Sequence, residues 1–446
     1  MAKADRLTVL SVGSVGAGVA ALMFLLGAQA RWLRRTRREL ERSTALPETN
    51  EAIAFQATTR AKVAEQRVAL LERALAQSDA ARGALEERLE EMRAEAAAAA
   101  GPIHISDNAV RYLLTTSEAR AVQRAAFAAS AQRGRVDAPA RTIIDAPQHD
   151  GCTLFKPAYI ARDDGGGELG IKVVAVRPRN AARSPALATI PATVLVLDDV
   201  TGAVAAIVDA TFLTAQRTAA GSAVATSLLR KTKAPAPPTT VVVFGAGLQG
   251  AAHLAALRDL HATINDVVVV NRSAPRAEAL LASLDGDAGL RRAVFVPSAD
   301  RAAVAAAVAR ADIVVTATNA SAPLFDGAAL KPGAHIIAVG GYTATMRELD
   351  AACVARCAVV VDTPHAWDAG DLAQLGAEGR AAVDCGTLGE LVLAGFDSKA
   401  IEKRLGSARS AALDCTLFKS VGVAFQDVAA GAAVLRAYRR GGAGAE

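Results

Sequence analysis

Gly245, Gly247 and Gly250 follow an apolar, β-branched run, Thr239-Thr240-Val241-Val242-Val243-Phe244, and open an alanine-rich helical pattern at Leu248 and Gln249. That spacing suits the holding of a pyrophosphate. Gly245 allows the tight turn after a strand, Gly247 lets the backbone approach the phosphates, and Gly250 lets the helix pack close to the sheet. Free N–H groups at the helix start and the helix dipole then face the anion. Glycine triplets also occur in ordinary loops; the strand before and the helix after give this one its meaning. Farther on, Asp266-Val267-Val268-Val269-Val270 ends in Asn271, Arg272 and Ser273. An acidic residue there would bond a ribose 2′-hydroxyl and repel a 2′-phosphate, whereas Arg272 between two small polar groups can bind the phosphate. The pattern points to NADPH, with NADH open if Arg272 turns to solvent.

These residues need a parallel sheet to position them. Further apolar runs at 311–318, 335–341 and 359–362 supply its later strands. Their carboxyl ends should line the ligand crevice, so Thr316, Ala317, Thr318 and Val339 are expected at the cofactor. Before the glycine turn, 103–233 reads as mixed α and β. Residues 107–129 form one or two helices, and 141–144, 170–176 and 193–197 form strands. The last of these makes a hairpin with 203–208, and a small-residue helix runs from about Thr211 to Leu229.

The whole chain is 446 residues long, too many for one core. Its composition is 52% hydrophobic but only 4% aromatic, which suits a helix-flanked parallel sheet better than a β-sandwich. The formal charge of +5 comes with arginines clustered near the N-terminus and no basic-aromatic patch, so no nucleic acid is expected. Cys152, Cys353, Cys357, Cys385 and Cys415 lack zinc spacing and read as free thiols, and no metal is expected.

Residues 7–30 carry no charge and exceed the ~20 residues that a spanning helix needs. Arg31, Arg34, Arg35, Arg37 and Arg38 follow, against Lys3 and Arg6 before, which predicts a membrane anchor with the rest of the chain on the cytoplasmic side. A cleaved leader ending at Ala28-Gln29-Ala30 is the alternative. Residues 51–100 read as a long helix with a partial heptad register at Val68, Leu71, Leu75, Leu85, Leu89 and Met92; a coiled coil is left open.

Leu213-Thr214-Ala215-Gln216-Arg217-Thr218-Ala219-Ala220, Gly170-Ile171-Lys172-Val173, the Gly245 turn, and Phe418-Lys419-Ser420-Val421-Gly422 with Gln426-Asp427 together resemble the ornithine cyclodeaminase/mu-crystallin family, in order and spacing. The resemblance covers about residues 103–440. It implies a homodimer whose first domain forms the dimer sheet and holds the substrate, a Rossmann second domain, and a C-terminal segment that folds back. It also implies a nicotinamide cofactor and small amino or imino acid substrates. Carried over by position, Arg141, Lys172 and Arg217 resemble the cations that grip the substrate carboxylate, with Lys172 and Arg217 also assigned to catalysis. Lys419, Ser420 and Gly422 fall in a segment that the family places near nicotinamide and substrate. The family's cyclodeaminases carry an aspartate in the crevice after the fourth strand; the matching residue here is Thr318, followed by Asn319. Neither can act as a carboxylate base. Thr318 is therefore expected at the substrate, and ornithine cyclodeamination is disfavoured against ketimine reduction.

The expected fold is α/β, a Rossmann domain plus an α+β substrate-binding and dimerisation domain behind a transmembrane helix and helical stalk. The expected boundaries are 1–40 anchor, 41–101 stalk, 102–233 substrate domain, 234–364 Rossmann domain, 365–440 returning segment and 441–446 disordered tail. The expected function is NADPH-dependent reduction of small imino acids, cyclic ketimine carboxylates. A cyclodeaminase, an amino-acid dehydrogenase and a ligand-binding protein without turnover are the alternatives.

Overall fold

The computed structural model describes residues 101–233, 236–284, 287, 289–395 and 413–442, and isolated helical positions 62, 66 and 69. By its contacts the chain divides into Met1–Ile103 with Ala203–Ala205, and His104–Gly202 with Ala206–Glu446. Nearly all that is described belongs to the second unit, which contains two sheets.

The first sheet is built from β1 (Ile103–Ile105), β2 (Val136–Asp137), β3 (Thr142–Ala146), β4 (Gly151–Ala161), β5 (Gly167–Val176), β6 (Ala192–Leu197) and β7 (Val204–Asp209). Its order is β1-β7-β6-β5-β4-β2, with β3 also paired to β4. β4 runs antiparallel to β2, β3 and β5, and β5 to β6. Burial alternates along β4, β5 and β6, so one face is covered and the other half-open. Leu154, Ala158, Ile160, Val174, Val194 and Val196 point to the covered face. Lys156 and Lys172 point there too, directly opposite each other in the β4–β5 register. The helix Ala424–Gly442 lies on this face, and two glycines let it approach. A Cβ on Gly431 would stand 2.8 Å from Val194 Cγ1, and one on Gly170 would stand 3.4 Å from Val428 Cγ2.

The second sheet is built from β8 (Thr240–Phe244), β9 (Asp266–Asn271), β10 (Arg292–Pro297), β11 (Ile313–Thr316), β12 (His335–Ala338), β13 (Cys357–Val361), β14 (Asp384–Thr387) and β15 (Cys415–Lys419). Its order is β10-β9-β8-β11-β12-β15-β13-β14, and every registered pair is parallel. β8, β11, β12, β13 and β15 are buried throughout, as strands covered on both faces must be. β8 lies between β9 and β11, where the strand order reverses, and the crevice at its carboxyl end is the ligand position of such sheets. This is a Rossmann arrangement.

The helix Thr211–Lys233 ties the two sheets together. Ser222 Oγ lies 2.9 Å from His253 Nε2 on the helix Leu248–Leu260, and Thr226 Oγ1 lies 3.1 Å from His335 Nε2 at the start of β12. Burial pushes the His253 imidazole down to about 4 and the His335 imidazole down to about 3, so both are neutral hydrogen-bonding spacers.

The region 107–129 is two helices, Asp107–Leu113 and Thr116–Ser130, within the expected one or two. Other expectations change. The longest strand of the first sheet, β4, was not expected, nor were β10 and β14. The segment 365–440 does not simply return to the first domain: β14 and β15 join the Rossmann sheet before the helix Ala424–Gly442 crosses to the other. That helix also runs through Gly442, into the expected tail.

The anchor at 1–40, and the stalk and coiled coil apart from the three isolated helical positions, lie outside the described residues. Among the described residues no helix is long and apolar enough to cross a membrane. The expected membrane-anchored localisation is corrected on that finding, and no membrane placement is retained.

A Cβ on Gly250 would fall onto the Gly245 carbonyl oxygen and stand 3.2 Å from Val243 Cγ1. Gly250→Ala is therefore expected to cost about 1–3 kcal/mol of unfolding free energy by urea titration, the usual penalty of overpacking. A loss within about 0.3 kcal/mol would show that the helix is free to back away from the turn.

Candidate active site

Four elements converge on one buried carboxylate. Asp427, in the first turn of the helix Ala424–Gly442, is fully buried. Its Oδ1 lies 2.8 Å from Lys172 Nζ on β5 and 2.7 Å from Arg217 Nε on the helix Thr211–Lys233. Lys156 Nζ, on β4, lies 4.0 Å from Oδ2. Lys156, Lys172 and Arg217 are only 6%, 2% and 3% exposed. Arg217 also donates from Nη1 to Gln426 Oε1 at 2.7 Å, and Lys156 donates to the Gly422 carbonyl at 2.9 Å.

Burial alone would raise the Asp427 carboxyl, but Arg217, Lys172 and Lys156 hold it below the usual carboxylate range. Burial drives the Lys172 ammonium well below its ordinary value against the pull of Asp427, with Arg217 and Lys156 adding to the fall. Lys156 falls to about 8 through burial, again opposed by Asp427 and reinforced by Arg217 and Arg141. A second carboxylate, Asp362, sits just past β13, and burial raises it. It accepts from Ser420 Oγ at 2.8 Å, Val421 N at 2.9 Å and Gly422 N at 2.7 Å. These bonds shape the loop after β15 so that Gly422, at φ +76°, lies against Arg217, where a Cβ would stand 2.9 Å from Nη2.

Of the three expected carboxylate cations, Lys172 and Arg217 are thus brought into one cluster. Arg141, half-buried before β3, is close enough for its charge to act on Lys156 and on Tyr342 beyond β12. Ser420 and Gly422, expected at the cofactor, are held by Asp362 beside this cluster. Lys419, expected as a contact, is fully buried and paired with Asp371 at 3.0 Å.

The glycine turn fits a dinucleotide. Gly245 adopts φ +102°, and a Cβ there would stand 2.5 Å from the Ala317 carbonyl oxygen. Gly247 has nothing within 4 Å of its Cβ position and caps the helix Leu248–Leu260 without a side-chain bond, leaving the first N–H groups to face the crevice. Leu248 is exposed and Gln249 half-buried at that helix start. Asn271 ties the turn to the next loop, accepting from Ala246 N at 3.3 Å and donating to the Ser273 carbonyl at 2.8 Å. Arg272 is exposed between them. Ala317 N bonds the Phe244 carbonyl at 2.9 Å and Val339 N the Thr316 carbonyl at 3.0 Å, so both hold the strand ends at the crevice floor.

Thr316 and Thr318 are committed differently from expectation. Both hydroxyls donate to Glu348, at 2.8 and 2.7 Å, and Glu348 also accepts from Thr318 N at 2.6 Å and Gly340 N at 2.9 Å. Thr316 is fully buried, a brace beneath the crevice rather than a surface of it. Burial raises the Glu348 carboxyl, while Lys419 and the threonines pull it back.

Sequence reasoning missed Lys156, Glu348, Asp371, Asp362 and the part played by Asp427. For Lys156 a signal existed: within 151–161, Leu154, Lys156, Ala158 and Ile160 share one parity, which puts the lysine on the inward face. The others pair over long separations and leave no local pattern.

Replacing Asp427 by Asn should leave Lys172 and Arg217 buried without their anion, a loss of about 3–5 kcal/mol in urea unfolding at neutral pH. Because the Asp427 carboxyl is held low, its contribution is present above the ordinary carboxylate pKa and is lost as pH falls through the folded-state value. The gap between wild type and variant should close on acidification. A gap constant from neutral to acid pH would contradict the pairing.

A family model described as the ornithine cyclodeaminase/mu-crystallin family matches residues 105–441. The ketimine reductase mu-crystallin of Macropus fuliginosus is 32% identical over 342 residues, covering 75% of this chain and 97% of the relative. A Delta(1)-pyrroline-2-carboxylate reductase of Bacillus cereus (strain ZK / E33L) is 31% identical over 307 residues, covering 66% and 84%. Among solved structures, the Delta(1)-pyrroline-2-carboxylate reductase of Thermococcus litoralis, in complex with NADH and L-proline, is similar with a TM-score of 0.64 and 27% identity, covering 76% of this chain and 98% of that one. The chain belongs to the ornithine cyclodeaminase/mu-crystallin family.

Proposed function

We propose that this chain is a nicotinamide-dependent reductase of small imino acids, acting on cyclic ketimine carboxylates with NADPH as its preferred donor. The observation that carries this reading is the buried excess of positive charge. Lys156, Lys172 and Arg217, with Arg141 beside them, outnumber Asp427 and Asp362. Buried charges seek partners, and a substrate carboxylate supplies the missing anion. Arg141 and the remaining Nη2 of Arg217 suit it best, since guanidinium N–H groups make charge-assisted hydrogen bonds to a carboxylate. The same field repels a protonated imine, so the neutral imine is the form that is held.

Reduced nicotinamide, when bound at the Gly245–Gly250 turn, would supply a hydride to the C=N carbon, and a proton drawn from water would reach the nitrogen to complete the amine. Lys172 and Asp427 set the position of Arg217. Glu348 fixes the strand ends on which Thr318 and Gly340 sit. It does not replace the aspartate of the cyclodeaminases, because four donors take up its two oxygens. This favours reduction over cyclodeamination. Arg272, exposed beyond β9 with no acid in the ribose position, favours the 2′-phosphate of NADPH. The half-open face of the first sheet, with Ile143 and Ile144 50% and 56% exposed beside it, favours a homodimer.

The test is oxidation of NADPH and NADH, in parallel, with piperideine-2-carboxylate and pyrroline-2-carboxylate. Turnover is expected with both imines, and Arg217→Ala should lower kcat/KM by about a hundredfold, the loss of a buried charge-assisted pair. Inactivity of the wild type across such imines would end the reading. For the cofactor, Arg272→Ala should raise the KM for NADPH about tenfold relative to that for NADH, the worth of one phosphate contact. An unchanged ratio would remove NADPH preference from Arg272.

A further inference from the structure

We propose that Lys156 is a further substrate-binding residue, the ammonium that completes an anion clamp with Arg141 and Arg217. The inference rests on the imino-acid reading above and adds to it a contact that no feature of the motifs assigns.

Lys172 is already committed. Its Nζ sits 2.8 Å from Asp427 Oδ1 and 3.5 Å from Thr214 Oγ1, deep under the helix Ala424–Gly442. Lys156, one strand over, is placed differently. Its one hydrogen bond among the described residues goes to the Gly422 carbonyl at 2.9 Å, and Asp427 Oδ2 stands off at 4.0 Å. An ammonium carries three donors, so two hydrogens of a nearly buried cation remain without an acceptor. Buried donors of this kind call for a partner, and a charged one calls for an anion.

The groups around Lys156 make that partner external. Lys172 faces it from β5, Arg217 from the helix Thr211–Lys233, Arg141 from the segment before β3, Asp427 from the helix Ala424–Gly442 and Asp362 from beyond β13. Three positive neighbours thus face it against two negative ones. An arriving carboxylate lowers the energy of the charged ammonium, and Lys156 in turn draws the anion toward the Gly422 loop.

Binding then becomes coupled to a proton. Burial, with Asp427 opposing and Arg217 and Arg141 adding, leaves the free Lys156 ammonium at about 8. Below that pH the residue is charged and anion affinity is full. Above it, a proton must be taken up on binding, and affinity should fall about tenfold per pH unit until the value in the complex is reached.

The experiment measures KM for pyrroline-2-carboxylate from about pH 7 to about pH 9.5 in wild type, Lys156→Met and Lys156→Arg, with kcat followed separately. Wild-type KM should rise through the upper half of that range. The Met variant should show a KM at least about tenfold higher at the lower end and no such rise; the Arg variant should recover the low KM and also lose the rise. Thermal stabilisation by L-proline gives a readout free of turnover. It should appear in wild type at neutral pH, shrink at alkaline pH, and be absent from the Met variant. A Met variant with wild-type KM and pH profile, or one that loses kcat and stability at unchanged KM, overturns the assignment, as does L-proline stabilisation indifferent to Lys156. If no imine is reduced yet L-proline stabilises in the Lys156-dependent manner, the reaction reading fails and the contact stands.

Discussion

The first domain depends on one buried carboxylate. β4 and β5 each turn a lysine to the covered face of the sheet, and the helix Thr211–Lys233 adds Arg217 to the same place. Without Asp427 that face would hold three desolvated cations and could not be covered. A buried pair contributes little net stability compared with apolar packing, but breaking one is costly. Its effect here is therefore on arrangement: the helix Ala424–Gly442 must cross the sheet at the register that brings Asp427 between Lys172 and Arg217. Gly170 and Gly431 allow the close approach that this register requires.

A second charged node does the corresponding work under the crevice. Asp371 accepts from Glu348 N and from Leu349 N at 2.8 Å, and pairs with Lys419 at the end of β15. Glu348 in turn gathers the ends of β11 and β12. The two nodes are joined through the loop after β15, where Asp362 binds Ser420, Val421 and Gly422, and Gly422 meets both Lys156 and Arg217. The nucleotide crevice and the cation cluster are thus positioned by one continuous run of backbone. A shift of β15 would move both.

The sequence exposed what is local and left hidden what is distant. The Gly245 turn, the valine-rich strands and the small-residue helix carry their own periodicity, and each was legible. β4 was not, because Lys156 and Pro157 interrupt its apolar alternation and Cys152 and Gly151 blur its start. β15 was legible as a motif but not as a strand between β12 and β13, since parallel pairing to segments some 60 to 80 residues earlier leaves no trace in its own composition. Lys172 and Arg217 were named through resemblance, while their anion Asp427, 255 residues beyond Lys172, emerged only from the packing. Thr318 is expected at the substrate through resemblance alone, and its bond to Glu348, 30 residues away, leaves no local sign in the sequence.

The excess charge also distinguishes the proposed substrate from its product. A neutral imine carboxylate enters a positive field as an anion and is held. The product of reduction is an amine, which takes up a proton near neutral pH and presents an ammonium to Lys156, Arg217 and Arg141. Like charges in a poorly solvated site repel strongly. The field that binds the substrate therefore weakens its grip once the product is protonated, and the amino acid leaves more readily than the imino acid arrived. An enzyme working in the opposite direction would need a carboxylate base at the amine to offset that repulsion. Glu348, the carboxylate that engages Thr318, is already spent on the strand ends.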